Sequence, residues 1–118
     1  MELIKWDGIL KEVFPNGATY QTIVGDNNNS TPIRIGIQIS PPGYNTGTHS
    51  HPYMEVVSVL EGAAEVWTEN VEGVRVVGPG SSLIFHPNEK HGFRAIGNSV
   101  LKTYGVHASS ERIVVRVS

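Results

Sequence analysis

The sequence predicts an all-β domain, a barrel or sandwich of short strands, on three observations. Apolar residues alternate with polar ones along short runs, glycine- and proline-rich turns end nearly every run, and no stretch of ten residues keeps a helical period between breakers. A short turn near the N-terminus is the one exception. At 118 residues the chain buries one modest core, so a single domain over 1–118 is expected.

Within that domain, residues 1–32 read as an N-terminal arm ending in the polar connector 26–32, residues 33–107 as the β core and 108–118 as a C-terminal strand. Over 33–39, Ile33, Ile35, Ile37 and Ile39 share one face while Arg34, Gly36 and Gln38 share the other, the pattern of a half-buried strand. Pro41-Pro42-Gly43 and Asn45-Thr46-Gly47 turn the chain, 54–60 forms the next strand and Glu61-Gly62 closes it. Residues 63–68 and 74–77 read as a hairpin around Asn70-Val71-Glu72-Gly73. Further strands fit 82–85, 92–95, 100–106 and 112–117.

Composition removes several classes of function. The formal charge is -2 with no run of Lys or Arg, which argues against nucleic acid and anionic membrane as partners. No apolar stretch has the length of a membrane span, and Met1-Glu2-Leu3-Ile4-Lys5-Trp6 lacks the apolar segment of a secretion signal, so a cytoplasmic location is the default expectation. The absence of cysteine excludes disulfides, thiolate catalysis and sulfur ligation of a metal.

The chemistry concentrates in His49-Ser50-His51-Pro52-Tyr53-Met54-Glu55 and in His91. On an extended strand His49, His51 and Glu55 have the same parity and share a face. A helix would set His49 and His51 about 200° apart, and Pro52 would obstruct its first turn. Three imidazoles and one carboxylate suit one borderline divalent ion, iron, nickel, manganese or zinc, with positions left for water or substrate. Four ionisable groups packed in an apolar interior are costly unless a cation compensates the carboxylate. The alternative is that Glu55 pairs with a protonated histidine while the others form ordinary hydrogen bonds.

These residues resemble the cupin superfamily. Its first motif is complete as Gly43, five residues, His49-Ser50-His51, three residues, Glu55, six residues, Gly62. The second motif runs from Gly80 through His91 with departures: His86 stands at the usual proline, Asn88 at the usual glycine and Ala95 at the usual asparagine. The resemblance implies a small single-domain cupin, a jelly roll or double-stranded β-helix closed as a single compact barrel, with His49, His51, Glu55 and His91 holding the metal. It also implies a homodimer. The apolar residues Leu3, Ile4, Trp6, Ile9, Leu10, Val13 and Phe14, and Ile113-Val114-Val115, offer surfaces for pairing.

His86 and Tyr104 are the candidates for catalytic groups. His86 ends the apolar run Leu83-Ile84-Phe85 and titrates near neutral pH, so it could move a proton or orient substrate; a rim residue replacing proline is the plainer reading. Tyr104 and Lys102 share parity and could supply polar handles, whereas Leu101 and Thr103 inward is the plainer arrangement. His107 reads as solvent-facing or loop-anchoring, Phe93 as narrowing the pocket beside His91, and Met54, Trp67 and Phe85 as core or interface. Gly43, Gly62, Gly80 and Gly92 serve turns or close approach, not phosphate cradling. With Asp7 and Asp26 the only aspartates and no nucleophile elbow, a Ser-His-Asp mechanism is poorly supported. The expected function is a metal-dependent enzyme acting on a small polar metabolite, by dioxygenase, isomerase, epimerase or lyase chemistry; the alternative is a noncatalytic metal-dependent module binding a small molecule or sugar.

Overall fold

The computed structural model describes residues 1–26 and 30–117, so the centre of the polar connector lies outside the described residues. The strands are β1 (Glu12–Val13), β2 (Thr19–Val24), β3 (Arg34–Ser40), β4 (His49–Ser50), β5 (Glu55–Glu61), β6 (Ala63–Thr68), β7 (Val71–Val77), β8 (Ser82–Phe85), β9 (His91–Ile96), β10 (Leu101–His107) and β11 (Val115–Arg116). Two 3-10 turns, Trp6–Gly8 and Pro15–Gly17, punctuate the N-terminal arm. Among the described residues no helix is long and apolar enough to cross a membrane.

The strands form two sheets, ordered β1-β2-β3-β10-β5-β8 and β11-β4-β9-β6-β7, with antiparallel pairing throughout. Both sheets are open, which corrects the expectation of a single compact barrel. The outermost strands, β1 and β8 in one sheet and β11 and β7 in the other, have a ladder partner on one side only. A barrel and a two-sheet sandwich require the same alternation along each strand and differ only in whether edge strands meet. Alternation therefore could not separate them. Two-residue edges such as β1 and β11 also limit unwanted pairing of the open margins.

Most expected strands appear with ends moved by a residue or so, and three differences are larger, the first being that the terminal strand expected over 112–117 forms only at Val115–Arg116. The hairpin turns at Glu69-Asn70, not around Asn70-Gly73, so Thr68 pairs with Val71 and β7 starts early. The expected arm contains β2, which pairs along β3 and buries Tyr20 and Ile23. Its sequence, Thr-Tyr-Gln-Thr-Ile-Val, has no strict period-2 pattern, and its pairing with β3 carries a register shift between Thr22 and Val24.

One end of the interior is apolar. Val57 and Val59 of β5, Ala64 and Val66 of β6, Phe85 of β8, Ala95 of β9 and Leu101 of β10 make one buried cluster. Gly62 turns the chain between β5 and β6 at φ 82 with its Cα against the backbone of Val100 and Leu101, a place where a side chain would be both strained and obstructed. Toward the other end the same strands turn polar groups inward, and there the site lies.

Candidate metal centre

His49 on β4 pairs directly with His91 on β9, while Pro52 ends the extended run just after His51 and the chain re-enters the facing sheet at Glu55, the first residue of β5. All four side chains are buried, and one ligand atom from each lies within 4.8 Å of all the others. His91 Nε2 is 3.1 Å from Glu55 Oε1, and His51 Nε2 is 3.3 Å from the same oxygen. Phe85 stacks on the His91 ring at 3.7 Å between centroids, closing the apolar side.

The backbone selects the tautomer of each imidazole. Nδ1 of His49 lies 2.9 Å from the carbonyl of Gly47, that of His51 2.5 Å from the carbonyl of Ile113, and that of His91 2.8 Å from the carbonyl of Glu89. A carbonyl only accepts, so each Nδ1 carries the hydrogen and each neutral ring turns a bare Nε2 lone pair toward the centre. His51 Nε2 is buried there without a hydrogen bond. Lone pairs gathered around a carboxylate oxygen repel one another unless a cation lies among them, so the donor set fits a divalent ion.

Electrostatics agree. Burial lowers the His49 pKa to about 4, which keeps the ring neutral and free to ligate. Burial alone pushes the Glu55 carboxyl up, but the hydrogen bond from His107 and the close His51 and His91 rings outweigh it and hold the group well below the usual carboxylate range.

His107 is the residue whose role the sequence understated. It is 4% exposed, not solvent-facing, and its Nε2 lies 3.1 Å from Glu55 Oε2. Its Nδ1 lies 2.6 Å from the hydroxyl of Tyr53, which itself accepts the Ile113 N–H at 3.0 Å. The tautomer is thereby opposite to that of the other three histidines: Tyr53 donates to Nδ1, and Nε2–H donates to Glu55. Tyr53 and His107 thus steady the carboxylate oxygen turned away from His91, and the same Tyr53 fixes the segment whose carbonyl holds His51. Strand parity offered the signal, because Leu101 is buried and shares its face with Thr103, Gly105 and His107.

Glu89 does comparable work on the other sheet. Its carboxylate accepts the His86 N–H at 2.9 Å and the Thr68 hydroxyl, bracing the turn whose carbonyl holds His91. Burial raises its pKa, but the hydrogen bonds from Thr68 and the His86 backbone outweigh that and the net shift is downward. Asn88, at the position of the motif's glycine, adopts φ 66, a left-handed conformation asparagine tolerates better than most residues.

The four histidine and glutamate positions line a cavity of about 50 Å³ with Tyr20, Gly36, Gln38, Phe93 and Thr103 among its other walls. The two catalytic candidates are not brought to it. His86 is exposed and outside the cavity wall. Tyr104 points to the outer face of its sheet, where its ring meets Trp6 at 6.3 Å. Lys102 lines an outer groove with Trp6 and Ile9. Phe93 does line the cavity, Phe85 is core, and Met54 is 41% exposed.

No curated protein matches the chain in sequence. Among solved structures it is similar to the polyketide cyclase RemF from Streptomyces resistomycificus, with 20% identity, a TM-score of 0.82 and coverage of 100% of this chain and 86% of that one. It is similar also to KdgF from Halomonas sp., with 18% identity, a TM-score of 0.77 and coverage of 95% and 96%. An RmlC-like cupin from Shewanella frigidimarina NCIMB 400 gives 20% identity, a TM-score of 0.77 and coverage of 95% and 94%. These identities speak to the fold alone. The cupin domain family matches residues 36–107, more than half the chain and the stretch that carries all four clustered residues, and the chain belongs to that family.

Proposed function

We propose that the protein is a metal-dependent enzyme acting on a small polar metabolite, with His49, His51, Glu55 and His91 as ligands of one divalent ion. The observation that supports it best is the set of three Nδ1-to-carbonyl contacts, which leave every Nε2 bare, with those of His51 and His91 3.3 and 3.1 Å from Glu55 Oε1 and that of His51 without a hydrogen bond. A bound iron, manganese, nickel or zinc ion supplies Lewis acidity toward a substrate oxygen. The chain's own part is to hold the ligands, orient Glu55 through His107 and Tyr53, and shield the centre with Phe85 and Phe93. Solved relatives named as a polyketide cyclase and as oxalate oxidase are consistent with enzymatic use of this fold.

The test is elemental analysis of protein purified without added metal, joined to chelator competition on variants. Near-stoichiometric metal is expected, and H49A or H91A should weaken it by more than about 100-fold, beyond the range seen for groups that only support ligands. Unchanged stoichiometry and affinity in both variants would defeat the assignment. A screen of small keto acids, enols and sugars then separates reaction classes: dioxygen uptake only with iron indicates a dioxygenase, and turnover without oxygen under manganese or zinc an isomerase or lyase. Metal binding without any turnover indicates a binding module.

The reading includes a homodimer. Leu3, Leu10 and Val13 of the arm are 80%, 91% and 71% exposed, and a second copy of the chain covering them removes that apolar surface from water. Light scattering should give twice the chain mass; a monomer mass across concentrations rules the dimer out.

A further inference from the structure

The cavity at the metal centre borders an outer groove of about 480 Å³, and Tyr44, Thr46, Arg112 and Arg116 line both spaces. Two arginines therefore stand at the junction, in a chain whose acidic residues outnumber its basic ones, 11 to 9. Arg112 is half-buried, and its guanidinium lies over the Phe14 ring at 4.6 Å and near the Tyr20 ring at 5.5 Å. Among the described residues it has no hydrogen bond and no ion pair. Stacking holds the guanidinium in place and satisfies none of its N–H donors. Arg116 is exposed at the rim and donates to the Thr46 carbonyl.

A second unsatisfied donor lies in the same wall. Tyr20 is 5% exposed and lines the inner cavity, where its hydroxyl lies beside the Arg34 guanidinium and, since arginine only donates, its O–H has no acceptor. That hydroxyl rests where a side chain at Gly36 would be, so glycine there keeps it in position. The acid lining the outer groove, Glu12, is not within ion-pairing distance of either arginine. The inner cavity's walls hold two arginines against one carboxylate, Glu55, and counting Glu12 brings the two spaces together to zero, so a divalent ion at the centre makes the whole positive.

We propose that Arg112, assisted by Tyr20 Oη and with Arg116 at the rim, is a carboxylate-recognising site at the mouth of the metal cavity, and that the substrate is an organic acid. Its carboxylate meets Arg112 at the junction. Its reacting end enters the inner chamber, which has room for roughly three to five water-sized groups. The remainder extends into the outer groove beside Val13, Phe14 and Pro15. The proposal names the substrate class for the metal-dependent reading above and rests on it for catalysis, while carboxylate binding itself does not require the metal.

The experiment uses 3-phenylpropionate and 3-phenylpropanamide, a pair of similar shape that differs in charge, titrated by NMR into chelator-treated and Co²⁺-loaded protein. The metal-free wild type should bind the carboxylate about tenfold or more tightly than the amide, as a charge-assisted contact requires. R112Q should erase that preference in both forms while leaving Co²⁺ affinity and the Co²⁺ absorption spectrum as in the wild type. R112K should keep the preference at reduced size, since the charge remains and the planar fork is lost. Y20F should reduce it less than R112Q. If R112Q proves misfolded, the wild-type pair with R112K and Y20F decides. Equal binding of the two probes, no carboxylate binding to the metal-free protein, or a full preference in folded R112Q overturns the proposal. Failure of the wild type to bind Co²⁺ overturns the metal assignment instead and leaves the carboxylate result standing.

Discussion

The two ends of the interior are built on the same strands and differ in what those strands turn inward. Along β5 the inward series runs from Glu55 to Val57 and Val59; along β9 from His91 to Ala95; along β10 from His107 and Thr103 to Leu101. At the apolar end each side chain is stabilised by burial alone, about 25 cal/mol per Å² removed from water. At the polar end each buried group needs a partner, and the carbonyls of Gly47, Ile113 and Glu89, together with Tyr53 and His107, are the partners found. The contrast teaches that one end tolerates any well-fitting apolar residue, whereas the other requires particular atoms at particular places.

Phe85 belongs to both ends, so it gives the largest expected effect. It is a member of the apolar cluster and the stacking face of His91. F85A should cost about 3–5 kcal/mol in urea unfolding of the metal-free protein, and L101A, deeper in the apolar end, about 2–5 kcal/mol. Only F85A should also weaken metal affinity, because only it releases the His91 ring. Equal metal affinity in the two variants, measured by chelator competition, would break the division between the ends.

The next effect is smaller and comes from pH. His49 has a pKa of about 4 in the folded state, below the ordinary 6.5, so between those values the unfolded chain binds more protons and stability rises with pH. Glu55 is likewise depressed in the fold, so its contribution is present above the ordinary carboxylate value and lost as pH falls through the folded one. Both signs agree: the metal-free protein should lose on the order of 2–3 kcal/mol from His49 between about pH 6.5 and 4. Unfolding midpoints measured across that window should flatten in H49Q and keep their slope in L101A. A slope unchanged by H49Q would place the pH dependence elsewhere.

The same contrast explains what was legible in the sequence. His49, His51, Glu55 and His91 could be read because metal ligation imposes both residue type and spacing, and a strand converts spacing into a shared face. Hydrophobic alternation served the apolar end and misled near the site. On β3, Ile37 and Ile39 face a separate groove under Trp6 and Ile9, on the side of the sheet away from the metal centre, while Gly36 and Gln38 line the cavity. The apolar face of that strand is covered by the arm, an element whose docking no local pattern announces. Tyr104 follows the same rule, since it pairs with Ile37 across the ladder and points with it to the outer face. Sheet closure could not be read either, because edge pairing is a contact between distant segments and leaves no mark on the alternation of either.

The finest expected effect tests whether the polar end depends on atoms that never reach the centre. Y53F keeps the ring and its packing but removes the hydroxyl that accepts the Ile113 N–H and donates to His107 Nδ1. Nδ1 of His107 then lies buried with no donor, and the ring that presents Nε2–H to Glu55 Oε2 loses its anchor on the far side; the Ile113 carbonyl that holds His51 is loosened at the same time. Metal affinity should fall by about 10–100-fold, the range for residues that orient ligands, and H107A should fall in the same range. The double variant should add little to either single one, because both break one chain of contacts. H86Q is the matching control: His86 is exposed and outside the cavity, so its affinity, turnover and pH profile should equal those of the wild type. If Y53F binds metal as the wild type does, or H86Q is as impaired as Y53F, the Tyr53–His107–Glu55 network is packing and not the scaffold of the site.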